Sequence, residues 1–457
     1  MTAKKGKLRL RGVVVIIMNI TEVLNQFRNP CSCGKQHTLI TDAVYIGPGA
    51  SQHLKDDIVS RGFSSGVVIA DTNTAPIAGE ALANSLSLPL LVLPGNAHAT
   101  EIVTAELQKM LSALTKQPQF YIACGSGSLH DTVRYTACEN HIPFYSYPTA
   151  ASVDGFVSGI AAMTIRGTKV SYPSRSPIAL YADPAIFAAA PSRLTASGVG
   201  DLLGKYICLA DWRIAQALTG EEICPALLSL EYQVIRELES VIASSGDAIL
   251  EDGPKHTEFV CRVMEGLVLS GLAIQLNGNS RPASGAEHHL SHFWEMARIN
   301  EDTAALHGEQ VGVATLLMLD CYKKASADFD KPFSYHPKTL FSRDRILPVY
   351  RELTNDILKE NMPTGHADSC SLAGIAEQAP LLHAKEIRDI IDTLPEYDTL
   401  LSEMHACGCK TTLAEIGLPQ TNAFLSTTLR FAPYARNRLT FLKYLAAQDM
   451  IENERQT

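Results

Sequence analysis

Along the first 190 residues, short unbroken apolar runs alternate with stretches whose apolar side chains recur every three or four positions. The runs Ala43–Ile46, Gly66–Ala70, Leu90–Leu93, Phe120–Cys124 and Phe144–Tyr147 predict strands, and the stretch from Glu101 to Leu114 predicts a helix. Continuous rather than alternating apolarity means strands buried on both faces, the mark of a parallel sheet covered by helices. Turn residues stand where that scheme needs them, at Gly47-Pro48-Gly49, Pro94-Gly95-Asn96 and Pro148. After about Pro191 the texture changes. Helical periodicity dominates over Asp201–Leu218, Pro225–Ser244, His256–Leu276, Val311–Lys323, Phe341–Glu360 and Ala384–Leu394, with Pro348 expected to break or kink the fifth of these. The pattern predicts an α/β domain over 18–192 and an all-helical domain over 193–457. Residues 1–17 read as a dispensable extension before Met18, and the seam at 190–200 reads as an interdomain cleft, a favoured ligand site.

Composition narrows the choice of partner. The chain of 457 residues carries a formal charge of −9 with 46% hydrophobic and 19% charged residues. An acidic balance argues against nucleic acid as the main partner, since phosphate neutralisation calls for a basic surface. No apolar run approaches the ~18 residues of a spanning helix, so no membrane span is expected. The basic start and the Val13–Met18 run resemble a signal peptide only superficially, being too short and lacking a small-residue cleavage site. Eleven cysteines, mostly isolated, suit a reducing compartment, and the cytoplasm is the expected location.

Candidate chemistry sits at four places. The stretch FYIACGSGSLHDTVRY sets a glycine-rich turn between a strand and a helix N-terminus, where free N–H groups and the dipole can receive a pyrophosphate. Its spacing (Gly125, Gly127, Asp131) is not the dinucleotide fingerprint GxGxxG. Asp71, just after a strand, is placed to accept from a ribose diol, and equally to serve a turn. Asp201 in SGVGDLLGK opens a predicted helix, as a capping acid or as a carboxylate aimed into the cleft. His288 and His292 in SGAEHHLSHFWEM share a helical face, and His307 follows in LHGEQVGV. Position 289 is His, so the zinc-protease motif HExxH is absent. Carboxylate and imidazoles together suit a divalent zinc, nickel or ferrous ion with positions left open for substrate. Two sulfur clusters stand apart: Cys31 and Cys33 with His37, and Cys407 and Cys409 with His405. Together they hold enough ligands for a second metal should they meet, and are otherwise reduced thiols in loops.

In that order GSGSLHD, PTAASVDG (148–155), SGVGDLLGK, SGAEHHLSHFWE and LHGEQVGV resemble the sn-glycerol-1-phosphate dehydrogenase family, bacterial type. That family lies within the superfamily of iron-containing alcohol dehydrogenase, glycerol dehydrogenase and 3-dehydroquinate synthase. The resemblance runs from about residue 40 to 310. It implies a Rossmann-like domain followed by an all-α domain, the dehydroquinate synthase-like fold. It further implies a homodimer using NAD(H) or NADP(H) and one divalent metal ion. Gly125, Ser126, Gly127 and Ser128 would cradle the pyrophosphate, followed by Asp131. Asp71 would lie near the adenosine ribose, and Thr149 and Ser152 would line the cofactor cleft. Asp201, His288 and His307 would be the metal ligands and catalytic centre. Asp154 would contact substrate hydroxyls, while Lys205 and His292 would neutralise a substrate phosphate. The implied reaction is reduction of dihydroxyacetone phosphate to sn-glycerol 1-phosphate. A glycerol or other polyol dehydrogenase, a dehydroquinate synthase-like enzyme, and a non-catalytic metal-binding or redox-sensing protein are the alternatives. The turn reads GSGS where many superfamily members have GGGS, so Ser126 is expected to adopt a glycine-like conformation.

Overall fold

The computed structural model describes residues 7–10, 13–16, 20–95, 98–245, 249–250, 253–296, 304–334, 336–361 and 371–450. Met18, which follows the expected extension, lies outside the described residues. Strands β1 (Lys7–Leu10) and β2 (Val13–Ile16) pair antiparallel. A helix α1 (Ile20–Phe27) then leads to a parallel sheet of β3 (Ala43–Ile46), β4 (Gly66–Asp71), β5 (Leu90–Leu93), β6 (Phe120–Gly125), β7 (Phe144–Pro148) and β10 (Ala179–Ala182). These six are ordered β3-β10-β7-β6-β4-β5.

Both sheet faces are covered, as the unbroken apolar runs require. Val68, Ala70, Ile122 and Tyr145 point to one face, beneath Leu54 of α2 (Ala50–Ser60) and Leu82 of α3 (Glu80–Leu86). Val67, Ile69, Tyr121 and Phe144 point to the other, beneath Leu107 of α4 (Glu101–Ser112) and Val133 of α5 (Gly127–Glu139). From β4 the chain turns outward to β5, then returns to place β6 on the opposite side of β4. The strand order therefore reverses between β4 and β6, and a crevice opens at their carboxyl ends, where Asp71 and Gly125 stand.

Besides β1 and β2, which fall in the expected extension, three strands escape the periodicity reading. Strands β8 (Ile160–Ile165) and β9 (Thr168–Pro173) form a hairpin whose two-residue turn, Arg166-Gly167, has positive φ at both positions. The third is β10, whose four buried residues ALYA are too short and too alanine-rich to stand out.

Beyond residue 191 the described secondary structure is helical: α7 (Ser192–Leu203), α8 (Lys205–Thr219), α9 (Pro225–Ser245), α10 (Pro254–Asn277), α11 (Ala286–Trp294) and α12 (His307–Ala325), then shorter helices to residue 447. A short α6 (Pro184–Phe187) precedes them. The helix expected over 201–218 is two, meeting at Gly204, and Asp201 sits in the last turn of α7 rather than opening a helix. Helix Arg343–Tyr350 carries Pro348 inside it and ends at Tyr350, before a second helix, Thr354–Asn361. Helix α10 is long and apolar enough to cross a membrane, yet 94% of its most apolar window is buried among the other helices.

Close backbone approach between α7 and α12 sets the heart of this helical layer. Gly200 faces the Gly308 carbonyl, and Gly308 faces the Ser197 carbonyl so closely that a methyl group at either glycine would overlap the oxygen opposite. Bare glycine is what lets the two helices touch. Arg193 locks the pair by a forked bond to Glu309, Nε–Oε1 2.6 Å and Nη2–Oε2 2.7 Å. The Glu309 carboxylate also accepts from the N–H of Leu306, which caps α12.

Candidate active site

The approach of α7 to α12 carries Asp201 up to His307, the first residue of α12, while α11 supplies His288 from its first turn. One ligand atom from each of the three lies within 4.8 Å of the others. His288 Nε2 is 3.6 Å from Asp201 Oδ1. Each imidazole is oriented by a carboxylate on its far nitrogen: His288 Nδ1–H donates to Glu287 Oε1 at 2.7 Å, and His307 Nδ1–H donates to Glu295 Oε1 at 2.7 Å. Both Nε2 lone pairs are thereby presented inward, the tautomer that ligation needs. A buried carboxylate and two imidazoles, their outer nitrogens held by acids, fit a divalent cation and leave coordination positions for substrate oxygens.

Asp201 is held from behind. Lys205, wholly buried, donates to Asp201 Oδ1 (3.1 Å), Asp154 Oδ2 (2.7 Å) and the Ala283 carbonyl (3.2 Å). Burial opposes its charge, but Asp154 and Asp201 outweigh it and hold the ammonium well above the usual lysine range. Burial likewise works against the Asp201 carboxylate, and Lys205 with the two histidines still brings its pKa below the ordinary value. Its second oxygen accepts the N–H of Asp154 at 3.0 Å, tying the metal site to the loop after β7. Lys205 was expected to meet a substrate phosphate; with its three protons engaged, it holds two carboxylates in place instead.

A single cleft joins these groups to the glycine loop. Its walls include Gly127, Ser128 and Asp131 of the loop and α5, together with Asp154, His288, His292 and His307. Ser126 has φ −93° and ψ −171°, an ordinary extended conformation, so the expected glycine-like strain is absent; α5 begins directly after it with its first N–H groups facing the crevice end of β6. Thr149 donates its N–H to Gly125 O at 3.1 Å, and the Ser152 carbonyl accepts from Ser197 Oγ at 3.3 Å. Both are buried, and these backbone contacts tie the segment after β7 to the glycine loop and to α7. Asp71 takes the turn role: Oδ1 accepts the N–H groups of Asn73 (2.9 Å) and Thr74 (2.8 Å) and the Thr74 hydroxyl (3.0 Å). A ribose contact would fall to its other oxygen.

Several supporting residues were not singled out from sequence. Glu287 and Glu295 lie inside the histidine-rich motif and carried a signal, an acid next to each ligand segment. Arg134, fully buried, reaches the carbonyls of Gly155, Phe156 and Ile160 and the Asp131 carboxylate, and so fixes the Asp154 turn. His130 bridges Ser126 O (2.9 Å) and Ser146 Oγ (2.8 Å), with burial pushing its pKa down to about 3, so it stays neutral and staples the loop to β7. Lys169, from the unforeseen hairpin, lines the cleft and pairs with Glu295 at 3.0 Å.

Glu231, on α9, is buried within reach of Lys205 and Asp154, and burial pushes its pKa up to about 8. The folded chain therefore keeps a proton there that the unfolded chain loses near 4.5, so this carboxyl destabilises the fold progressively as pH rises from 4.5 to about 8. Glu231→Gln should flatten that slope, which reaches at most about 1.4 kcal/mol per pH unit. Denaturant titrations between pH 5 and 9 read it; parallel slopes for the two proteins would remove the assignment.

The fold, a parallel sheet covered by helices and followed by a helical region, and this donor set are those of the iron-containing alcohol dehydrogenase class. Residues 45–191 match the family profile described as iron-containing alcohol dehydrogenase. Among curated proteins, the glycerol-1-phosphate dehydrogenase [NAD(P)+] of Bacillus licheniformis is 38% identical over 64% of this chain and 73% of its own length. That of Bacillus subtilis is 35% identical over 76% and 89%, and that of Geobacillus stearothermophilus 29% over 93% and 97%. Among solved structures, glycerol dehydrogenase from Schizosaccharomyces pombe superposes with a TM-score of 0.57 at 17% identity, covering 90% of this chain and 88% of that one. Sulfoacetaldehyde reductase from Bifidobacterium kashiwanohense, in complex with NAD+, gives 0.56 at 15% over 90% and 96%. The chain belongs to the glycerol-1-phosphate dehydrogenase family.

Proposed function

We propose that this chain is an NAD(P)H-linked, metal-dependent reductase of dihydroxyacetone phosphate, yielding sn-glycerol 1-phosphate by reversible hydride transfer. The observation that carries it is the shared cleft, lined both by Gly127 and Ser128 at the amide-rich start of α5 and by His288 and His307 of the donor set. The relatives named above supply the substrate class. When bound, the ion supplies Lewis-acid polarisation of a ketone and the nicotinamide supplies the hydride.

The chain's own residues do the rest. Gly127 and Ser128 at the α5 N-terminus receive the pyrophosphate through backbone N–H groups. Asp154, with Oδ2 fixed by Lys205 and by Ser270 Oγ at 3.2 Å, accepts a substrate hydroxyl. Lys169 and His292 are the groups we assign to the phosphate. Burial, and then Arg436, hold the His292 pKa well below its ordinary value, so it meets an anion as a neutral donor, and Lys169 brings the charge. Closely held reactants in one crevice supply much of the remaining rate.

The test is turnover with dihydroxyacetone phosphate, dihydroxyacetone and a heptulosonate phosphate side by side, with both cofactors and chiral analysis of the product. The phosphorylated triose should be strongly preferred, and Lys169→Ala should raise its KM while leaving kcat/KM for dihydroxyacetone nearly unchanged. Equal rates with and without the phosphate would favour a polyol dehydrogenase instead.

A further inference from the structure

The sulfur cluster at Cys31 and Cys33 closes, but not with the partner entertained from sequence. Cys407 and Cys409 pack elsewhere, Cys409 donating to the Ala196 carbonyl at 3.3 Å. Cys224, the residue just before α9, comes instead, from 193 positions away in the chain. Cys31 Sγ lies 3.6 Å from Cys224 Sγ, and His37 Nε2 lies 3.4 Å from both Cys33 Sγ and Cys224 Sγ. One ligand atom from each of the four is within 4.8 Å of all the others.

Those spacings are the edges of a metal tetrahedron. An ion about 2.3 Å from sulfur and about 2.0–2.1 Å from nitrogen, at tetrahedral angles, sets sulfurs about 3.8 Å apart and sulfur from nitrogen about 3.6 Å. A disulfide would need about 2.05 Å, and none of the ten described cysteines is bridged.

The surroundings prepare the ligands. His37 Nδ1–H donates to the Leu276 carbonyl at the end of α10 (2.8 Å), so Nε2 turns its lone pair to the sulfurs. Gly34, at φ +82°, donates to the Cys31 carbonyl (2.9 Å), while the Cys31 N–H donates to the Lys35 carbonyl (3.1 Å). This tight turn swings both cysteines to one side. The backbone N–H of Cys33 lies against Cys31 Sγ, and those of Ala226 and Leu227, in the first turn of α9, lie against Cys224 Sγ. An ion pair between Lys35 and Glu222 holds the two strands of chain together outside the cluster.

We propose that Cys31, Cys33, His37 and Cys224 bind a zinc-like divalent ion, distinct from the one at Asp201, His288 and His307. Four protein ligands leave no position for substrate, so the ion is structural. It pins the segment running into β3 against the start of α9 and the end of α10. Gln275 of α10 continues that seam, its Oε1 accepting the N–H groups of Ile40 (2.5 Å) and Thr41 (3.1 Å).

The full-length protein, purified without chelator, should contain two metal equivalents per chain, and Cys33→Ser one, with turnover retained and a lower unfolding temperature. Cobalt substitution separates the two sites. A sulfur-to-cobalt charge-transfer band should appear in the wild type, persist in His288→Ala and vanish in Cys33→Ser, because the Asp/His/His set holds no thiolate. Should Cys33→Ser fail to fold, protection of Cys31, Cys33 and Cys224 from alkylation by added zinc decides the matter in the wild type. One equivalent with no such band, alkylation unchanged by zinc, or a Cys31–Cys224 or Cys31–Cys33 disulfide in protein prepared without reductant would overturn the assignment.

Discussion

His288→Ala should lose at least roughly a thousandfold in turnover of dihydroxyacetone phosphate, together with the ion at the Asp201 site. The substitution removes one of three ligands and leaves an opening on the wall of the cleft, where water can enter. Asp201 keeps Lys205 and the Asp154 N–H as partners, and Glu287 keeps the Gly285 N–H, so neither buried carboxylate is orphaned and the fold should survive. Glu287→Gln provides the graded comparison. The imidazole remains while its orienting carboxylate goes, and metal affinity should fall by about 10–100-fold. Plasma mass spectrometry for metal, NAD(P)H oxidation for turnover and circular dichroism for folding read the series. Near-normal turnover with the metal retained in His288→Ala would end the catalytic assignment of the triad.

Gly308→Ala is the larger structural effect. The added methyl would fall on the Ser197 carbonyl oxygen, which belongs to α7 and cannot rotate away as a side chain would. The helices must separate, with an expected cost of about 3 kcal/mol. Because His307 precedes Gly308 and Asp201 follows Gly200 on the facing helix, separation also spreads the ligand atoms beyond 4.8 Å. Stability and metal affinity should therefore fall together. Gly312→Ala, whose added methyl would meet the flexible end of Met404, should be much milder. Chemical denaturation with parallel metal titration checks both; a Gly308→Ala protein of wild-type stability would show that the helices are not held at contact.

How much was legible beforehand follows the range of each interaction. Apolar runs marked five strands of the sheet, because burial of both faces is written into consecutive residues. Ser126 and the turn after it stood out for the same local reason, although the strain expected at Ser126 did not materialise. The hairpin bearing Lys169 was missed: β9 is half-buried and mixed in polarity, and β8 buries only Ala161 and Met163, too few positions to set a period. Asp201, His288 and His307 were singled out, each within its own motif. Asp201 was nonetheless placed at a helix start, since its Gly-containing approach reads as a loop until α12 is there to use those glycines.

Lys205, Arg134 and Glu295 illustrate the other side. Each is a charged residue at an unremarkable helical or loop position, and its role depends on a partner dozens of residues distant or on another helix. Cys224 is the extreme case, a solitary cysteine until the segment after α1 folds over it. Chain-local periodicity and turn chemistry settle which segments become strands or helices, since they act over two to four residues. Which carboxylate faces which lysine, and which thiol completes a ligand shell, depends on helices meeting at backbone distance. That convergence is set by packing of the whole chain.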